Sequence, residues 1–145
     1  MTLDGTLAIV HHLAVFGLLG ALAAEWALVR PGLTADGAAR VARVDAAYGA
    51  LAGLVVVAGV SRLIWGVQPF DYYDHQPAFW SKMVALAVVA GLSVGPTRRY
   101  LRWRGLDAAP PDAEVRAAQR LVRLQLVVFP LIPISAALMA RHIGA

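Results

Sequence analysis

An all-α integral membrane bundle of four antiparallel helices, with both termini outside, is the fold this sequence predicts, and three observations carry it. The chain of 145 residues is 59% hydrophobic and only 15% charged, far more apolar than a soluble domain of that size needs to be. Four apolar runs follow one another, each close to the ~20 residues that cross a hydrocarbon core. Their connections are too short to hold a second domain, so residues 1–145 read as one four-span unit. Most of the 13 Lys and Arg residues fall in just two of those connections.

Span one is expected over about 7–29, LAIVHHLAVFGLLGALAAEWALV, and Arg30-Pro31-Gly32 ends it. The opening MTLDG has no Lys or Arg and the run is too long for a signal-peptide core, so the span is expected to be retained. At 100° per residue Leu13, Gly17, Gly20, Ala21 and Ala24 share a small-residue face suited to close helix approach. The connector PGLTADGAARVARVD is expected to form a short amphipathic helical turn. Span two, about 45–65, places Gly49, Gly53 and Gly59 as close-approach positions; its VVVAGV core is helical because an open strand in lipid leaves its backbone unsatisfied. Gly17, Gly20, Gly49 and Gly53 are all expected at helix–helix contacts.

Span three, about 79–100, carries Lys82, Leu86, Val89 and Ser93 along one stripe, and Pro96 strains its last turn. A Pro-Pro break follows, and Asp112 is a candidate cap for the helix entering span four. That span, about 121–140, is interrupted by Pro130 and Pro133.

Orientation follows from the positive-inside rule. Segments 30–44 and 98–123 hold Arg30, Arg40, Arg43, Arg98, Arg99, Arg102, Arg104, Arg116, Arg120 and Arg123, whereas 66–78 holds no cation. The 66–78 loop is therefore expected outside and the arginine-rich connectors inside. Those cations mark topology, and no RNA- or DNA-reading pattern accompanies the net charge of +4, so nucleic acid is not an expected partner. Absence of cysteine excludes disulfides, iron–sulfur clusters and a cysteine nucleophile.

The stretch Ser61 to Lys82, SRLIWGVQPFDYYDHQPAFWSK, concentrates the polar chemistry. Trp65, Phe70, Tyr72, Tyr73, Phe79 and Trp80 are the amphipathic aromatics that settle at a membrane boundary. Arg62 and Lys82 flank them, and either form an anion site or snorkel to headgroups and pair with Asp71 and Asp74. His11-His12 is an intramembrane ionisable pair, read either as a haem ligand or as a hydrogen-bonded structural histidine. A second axial histidine has to come from a facing helix, and His142 and His75 are the candidates. Asp71, Asp74 and His75 read as a solvated turn rather than a metal site. Glu25 and Asp45 lie among arginines, so interfacial ion pairs with Arg30, Arg40 or Arg43 are expected in preference to a proton relay.

The runs DAAYGALAGLVVVAGVSRLIWGVQPFDYY and FWSKMVALAVVAGLSVGPTRRYLRWR resemble the bacterial membrane-protein family catalogued as domain of unknown function twenty-two fourteen. The specific parts are Arg62 with Tyr72-Tyr73, Phe79 with Lys82, and Ser93 through Thr97. This resemblance implies four spans in a bacterial inner membrane, in which the loop 66–78, placed outside by the positive-inside rule, is periplasmic. A histidine early in span one, His11 or His12, and a lysine opening span three, Lys82, are also similar to the small membrane protoporphyrinogen oxidases and CopD-type proteins. That likeness implies b-type haem or porphyrin chemistry.

The function expected from these residues is binding of a redox cofactor, such as haem b or a porphyrin, or of a quinone-like amphiphile in the outer leaflet. His11, His12, Arg62, Tyr72, Tyr73 and Lys82 are the expected site, with membrane lipids around it. The rival expectation is a non-catalytic accessory subunit of a larger membrane complex; a third is an oligomeric transporter, although the two hairpins show no inverted repeat.

Overall fold

The computed structural model describes residues 2–66, 68 and 70–141. They form α1 (Leu3–Leu28), α2 (Ala35–Trp65), α3 (Phe70–Asp74), α4 (Pro77–Arg104), α5 (Asp112–Val128) and α6 (Leu131–Ala140), with no strand among the described residues. Helices α1, α2, α4 and the α5–α6 pair are each long and apolar enough to cross a membrane. The chain is an all-α four-helix membrane bundle, in which α1 packs on α2 and α5, and α4 packs on α2, α5 and α6.

The helix ends follow local chemistry. Thr2 and Thr34 cap α1 and α2 by accepting from the backbone N–H of Gly5 and Gly37, and Pro77 opens α4 where its missing N–H costs nothing. Gly32, at φ 83°, turns the chain between α1 and α2 in the left-handed region that glycine tolerates. Its N–H donates to Asp112 Oδ1 at 2.8 Å, so Asp112 ties two connectors together rather than capping its own helix. Pro130 cannot donate a helical hydrogen bond, and the fourth span is split there into α5 and α6.

With 26, 31, 28 and 29 residues, the spans are ~39–46 Å long at 1.5 Å per residue, longer than a ~30 Å hydrocarbon core. The excess collects at the arginine-rich end, where the connector 31–44 becomes, from Ala35 onward, the first turns of α2. The interior accordingly has two apolar layers. Ala14, Leu18, Leu22, Val55, Ala85, Val89, Val122, Phe129 and Ile132 form the first, within the spans. Val29, Ala38, Val41, Ala42, Tyr100, Trp103, Val115 and Ala118 form the second, at the arginine end. Lipid is as apolar as these side chains, so the first layer is held by van der Waals fit and polar contacts. The second layer also gains from exclusion of water.

The expected glycine contacts are corrected at three of four positions. A Cβ on Gly17 would meet the Leu51 side chain at 3.2 Å, whereas Cβ atoms on Gly20, Gly49 and Gly53 would meet nothing within 4 Å. The buried line of α1 is Ala14, Leu18, Leu22 and Glu25, adjacent to the small-residue face. Alanine and leucine fill the interface, and that choice turns Gly20, Gly49 and Gly53 to the exterior.

Candidate functional site

Two polar groups emerge from the bundle, one at each end. At the loop end the last turn of α2 supplies Arg62, the second turn of α4 supplies Lys82, and α1 supplies His11 and Asp4. Arg62 Nε donates to Asp4 Oδ1 at 3.2 Å, with both side chains at least two-thirds buried. Asp4, which precedes the expected start of span one, is the first-turn acid of α1 and the partner of Arg62, in place of Asp71 or Asp74. Lys82 lies 5.5 Å from the centre of the Phe79 ring, and among the described residues no carboxylate is within ion-pair distance of it. Arg62, Lys82 and His11 thus stand toward the loop end of α2, α4 and α1.

His11 and His12 separate, as adjacent helical positions must. His11 Nδ1 is 3.2 Å from the carbonyl of Val55 on α2, and the ring lies over Gly59, where an added Cβ would meet it at 3.5 Å, an ordinary contact. With Nδ1 donating to that carbonyl, Nε2 carries the lone pair. His12 is exposed, its Nδ1 turned back to the carbonyl of Ala8 in its own helix. The His142 considered as a facing ligand lies outside the described residues. His75 is on the surface of the loop against the carbonyl of Asp71.

Phe79 organises the loop. It is 4% exposed and its ring meets those of Phe70, Tyr73 and Trp80 with centroids 5.4–6.2 Å apart, while Tyr73 meets Tyr72 edge-on at 5.1 Å. Gln76, buried beneath, donates to the Tyr72 carbonyl at 2.9 Å. Lys82, Phe79, Tyr73 and Tyr72 are therefore one connected set. Trp65 and Trp80 are both more than half exposed; Trp80 borders the set edge-on to Phe79 and donates its Nε1–H to the Asp74 carbonyl.

The second polar group corrects the expected ion pairs of Glu25 and Asp45. Glu25 is 2% exposed and Asp45 6%, and among the described residues no arginine is within ion-pair distance of either. Arg30, Arg40 and Arg43 are exposed instead. The reason is helical phase. Glu25 continues the buried line Leu18, Leu22 on α1, and Asp45 stands between Ala42 and Tyr48 on the buried line of α2, so their apolar neighbours carry them inward.

Thr97 on α4 donates to Asp45 Oδ1 at 2.8 Å, and Tyr48 donates to Gln125 Oε1 on α5 at 3.1 Å. Tyr100, 0% exposed, sits beside Glu25. Each span contributes to this layer, which separates the two apolar layers. Sequence reasoning missed it because it weighed Glu25 and Asp45 against nearby arginines in the chain. The signal was the matched depth of Glu25, Asp45, Thr97, Tyr100 and Gln125 on four helices.

A four-helix bundle with a cationic, aromatic-capped group at one end and a buried carboxyl layer near the other defines a small multi-pass membrane protein. Residues 3–144 match the family described as "Predicted membrane protein (DUF2214)". The chain belongs to that family. No curated protein and no solved structure matches it.

Proposed function

We propose that this is a bacterial inner-membrane protein, a single four-span unit with both termini and the 66–78 loop on the periplasmic side, that binds an amphipathic small molecule with an acidic or carbonyl head. The observation that carries this reading is the charge at the loop end. Arg62 is compensated by Asp4, while Lys82 is partly buried against the Phe79 ring and has no carboxylate within ion-pair distance among the described residues. A cation costs ~2.5–3.5 kcal/mol at the centre of a membrane helix and less toward its ends, where Lys82 stands, and an anionic ligand head offsets that cost. Tyr72 and Tyr73 belong to the aromatic set whose Phe79 ring faces Lys82, and such a set can supply the apolar walls of a small-molecule site.

The head groups that fit are porphyrin carboxylates and quinone carbonyls. For haem b, His11 is the favoured ligand over His12, because His11 is partly buried between α1 and α2 with its Nδ1 against the Val55 carbonyl, the outer bond that orients a metal-binding imidazole, whereas His12 is exposed and turned back on its own helix. The test is to purify the protein in detergent, record the visible spectrum, and extract bound quinone or porphyrin from parent, Arg62→Gln and Lys82→Gln. A Soret band or an extracted quinone that falls in both variants is expected. A folded protein without pigment or extractable ligand, and without binding on titration, overturns the reading.

A second reading is favoured by Gly20, Gly49 and Gly53, which leave open space on the exterior of α1 and α2. Such positions let another helix approach closely, as in an accessory subunit of a larger membrane complex or a homo-oligomer. A single sedimenting species of monomer mass after mild solubilisation argues against it.

A further inference from the structure

We propose that the outer face of α5 at the arginine-rich end binds one anionic phospholipid whose head carries two phosphates, with Arg116, Arg120 and Arg123 as its anchors. This site is independent of the loop-end ligand. Its cations share one face: residues 116, 120 and 123 follow at the i, i+4, i+7 spacing of a single helical stripe, and all three are exposed. Like charges stacked at that spacing repel one another. The acids that could relieve them are engaged elsewhere. Asp112 stands one turn before Arg116, at the spacing of a helical ion pair, but accepts from the Gly32 N–H. Glu114 takes the Arg102 guanidinium and the Trp103 indole N–H. Among the described residues no carboxylate is within ion-pair distance of Arg116, Arg120 or Arg123, so the stripe is open to an anion from outside the chain.

Shape and surroundings choose a lipid. Arg120, Arg123 and Leu124 line a hollow of about 360 Å³, so two guanidinium groups meet an apolar wall there. From Leu124 the exposed line runs on through Val127 and, past the break at Pro130, through Leu131 and Ile134. The cations therefore stand in register with an apolar strip. Arg123 lies between Val122, part of the first apolar layer, and Gln125, which bonds Tyr48, so the stripe ends where the span begins. A molecule that sets phosphate on the arginines and hydrocarbon on the strip is a phospholipid, whereas an acidic protein of the aqueous phase reaches the arginines but not the strip. Guanidinium suits phosphate because its fork of N–H groups matches the phosphate oxygens. The stripe is about 10 Å long at 1.5 Å per residue, so two phosphates of one head engage it along its length, where a single phosphate meets one end.

The experiment uses the full chain, delipidated in detergent. Thermal unfolding is followed as cardiolipin, phosphatidylglycerol or phosphatidylcholine is added in mixed micelles, and bound lipid is counted by native mass spectrometry. A saturable rise in Tm with cardiolipin, one bound cardiolipin per chain, a smaller rise with phosphatidylglycerol at equal phosphate and none with phosphatidylcholine are expected. Arg120→Gln and Arg123→Gln should each weaken cardiolipin binding about fivefold, the effect of one basic side chain at an anionic lipid surface. Leu124→Trp, which fills the hollow and keeps every charge, should weaken it as well. Arg40→Gln and Arg98→Gln, at exposed positions on α2 and α4, should leave it nearly unchanged, because salt screens charges away from the site. Equal losses in all these arginine variants overturn the inference, since the charge of the whole end then does the binding. A Tm raised equally by phosphatidylcholine overturns it, as does phosphatidylglycerol bound as tightly as cardiolipin. Inorganic pyrophosphate bound as tightly as cardiolipin also overturns it, because the ligand then belongs to the aqueous phase.

Discussion

Tyr48 shows how a single polar atom holds two spans together. Its hydroxyl crosses from α2 to Gln125 on α5 with both side chains buried. Tyr48→Phe keeps the ring and strands the Gln125 amide, which should cost about 1–3 kcal/mol in detergent unfolding; a loss under 0.5 kcal/mol means the amide finds another partner. His75 is the residue whose titration lies outside the spans. The Asp71 carbonyl and then the Asp74 charge hold its pKa above the ordinary histidine range. Its contribution to loop order is therefore complete in mild acid, below the unfolded-state value, and disappears as the pH rises through the raised one. Trp80, bonded to Asp74, reports this: its fluorescence should titrate with a midpoint above that of a histidine in a peptide, and a midpoint at or below it removes the Asp71 and Asp74 interactions from the account.

Helix faces decide what substitutions do at the scale of the element. Gly17→Leu drives a side chain into Leu51 and should lower stability by about 1–3 kcal/mol, the usual cost of overpacking. Gly20→Leu and Gly49→Leu, which point into open space, should change the melting temperature of the solubilised monomer little; a large drop restores the glycine faces as bundle contacts. At the arginine end Trp103 is 1% exposed and donates to Glu114 at 2.9 Å. Trp103→Ala should cost about 3–5 kcal/mol, and a smaller loss would mean that the second apolar layer adds little.

The existence and type of these elements were legible in the sequence, because hydropathy and length suffice to find spans in which every backbone group must be satisfied internally. Which face of α1 points inward was not, since Gly17 and Leu18 are neighbours and only packing distinguishes their two stripes. Glu25 and Asp45 were misplaced for the same reason. Proximity along the chain to a helix start or to arginines says less about a carboxylate than the apolar neighbours one turn away.

For the whole molecule, orientation and the loop-end site make one account. The arginine-rich end is cytoplasmic if the positive-inside rule holds, which puts the cationic site on the periplasmic side. Single cysteines at Gln76 and Ala109 in this cysteine-free chain should respond oppositely to an impermeant thiol reagent on intact cells, with only Gln76→Cys labelled. Labelling of Ala109→Cys alone reverses the topology and moves the site to the other leaflet.

The central claim is that Lys82, which no carboxylate among the described residues pairs, recruits an anionic head, and a charge series tests it most directly. Protoporphyrin is titrated against tryptophan fluorescence of parent, Asp4→Asn, Lys82→Gln and the double variant. A charge-assisted hydrogen bond contributes about 1.5–3 kcal/mol, so Lys82→Gln should weaken binding by about tenfold or more. Asp4→Asn, which frees Arg62, should strengthen it, and the double variant should fall between. Affinities that are the same across the series, or tighter binding by Lys82→Gln, would contradict the account.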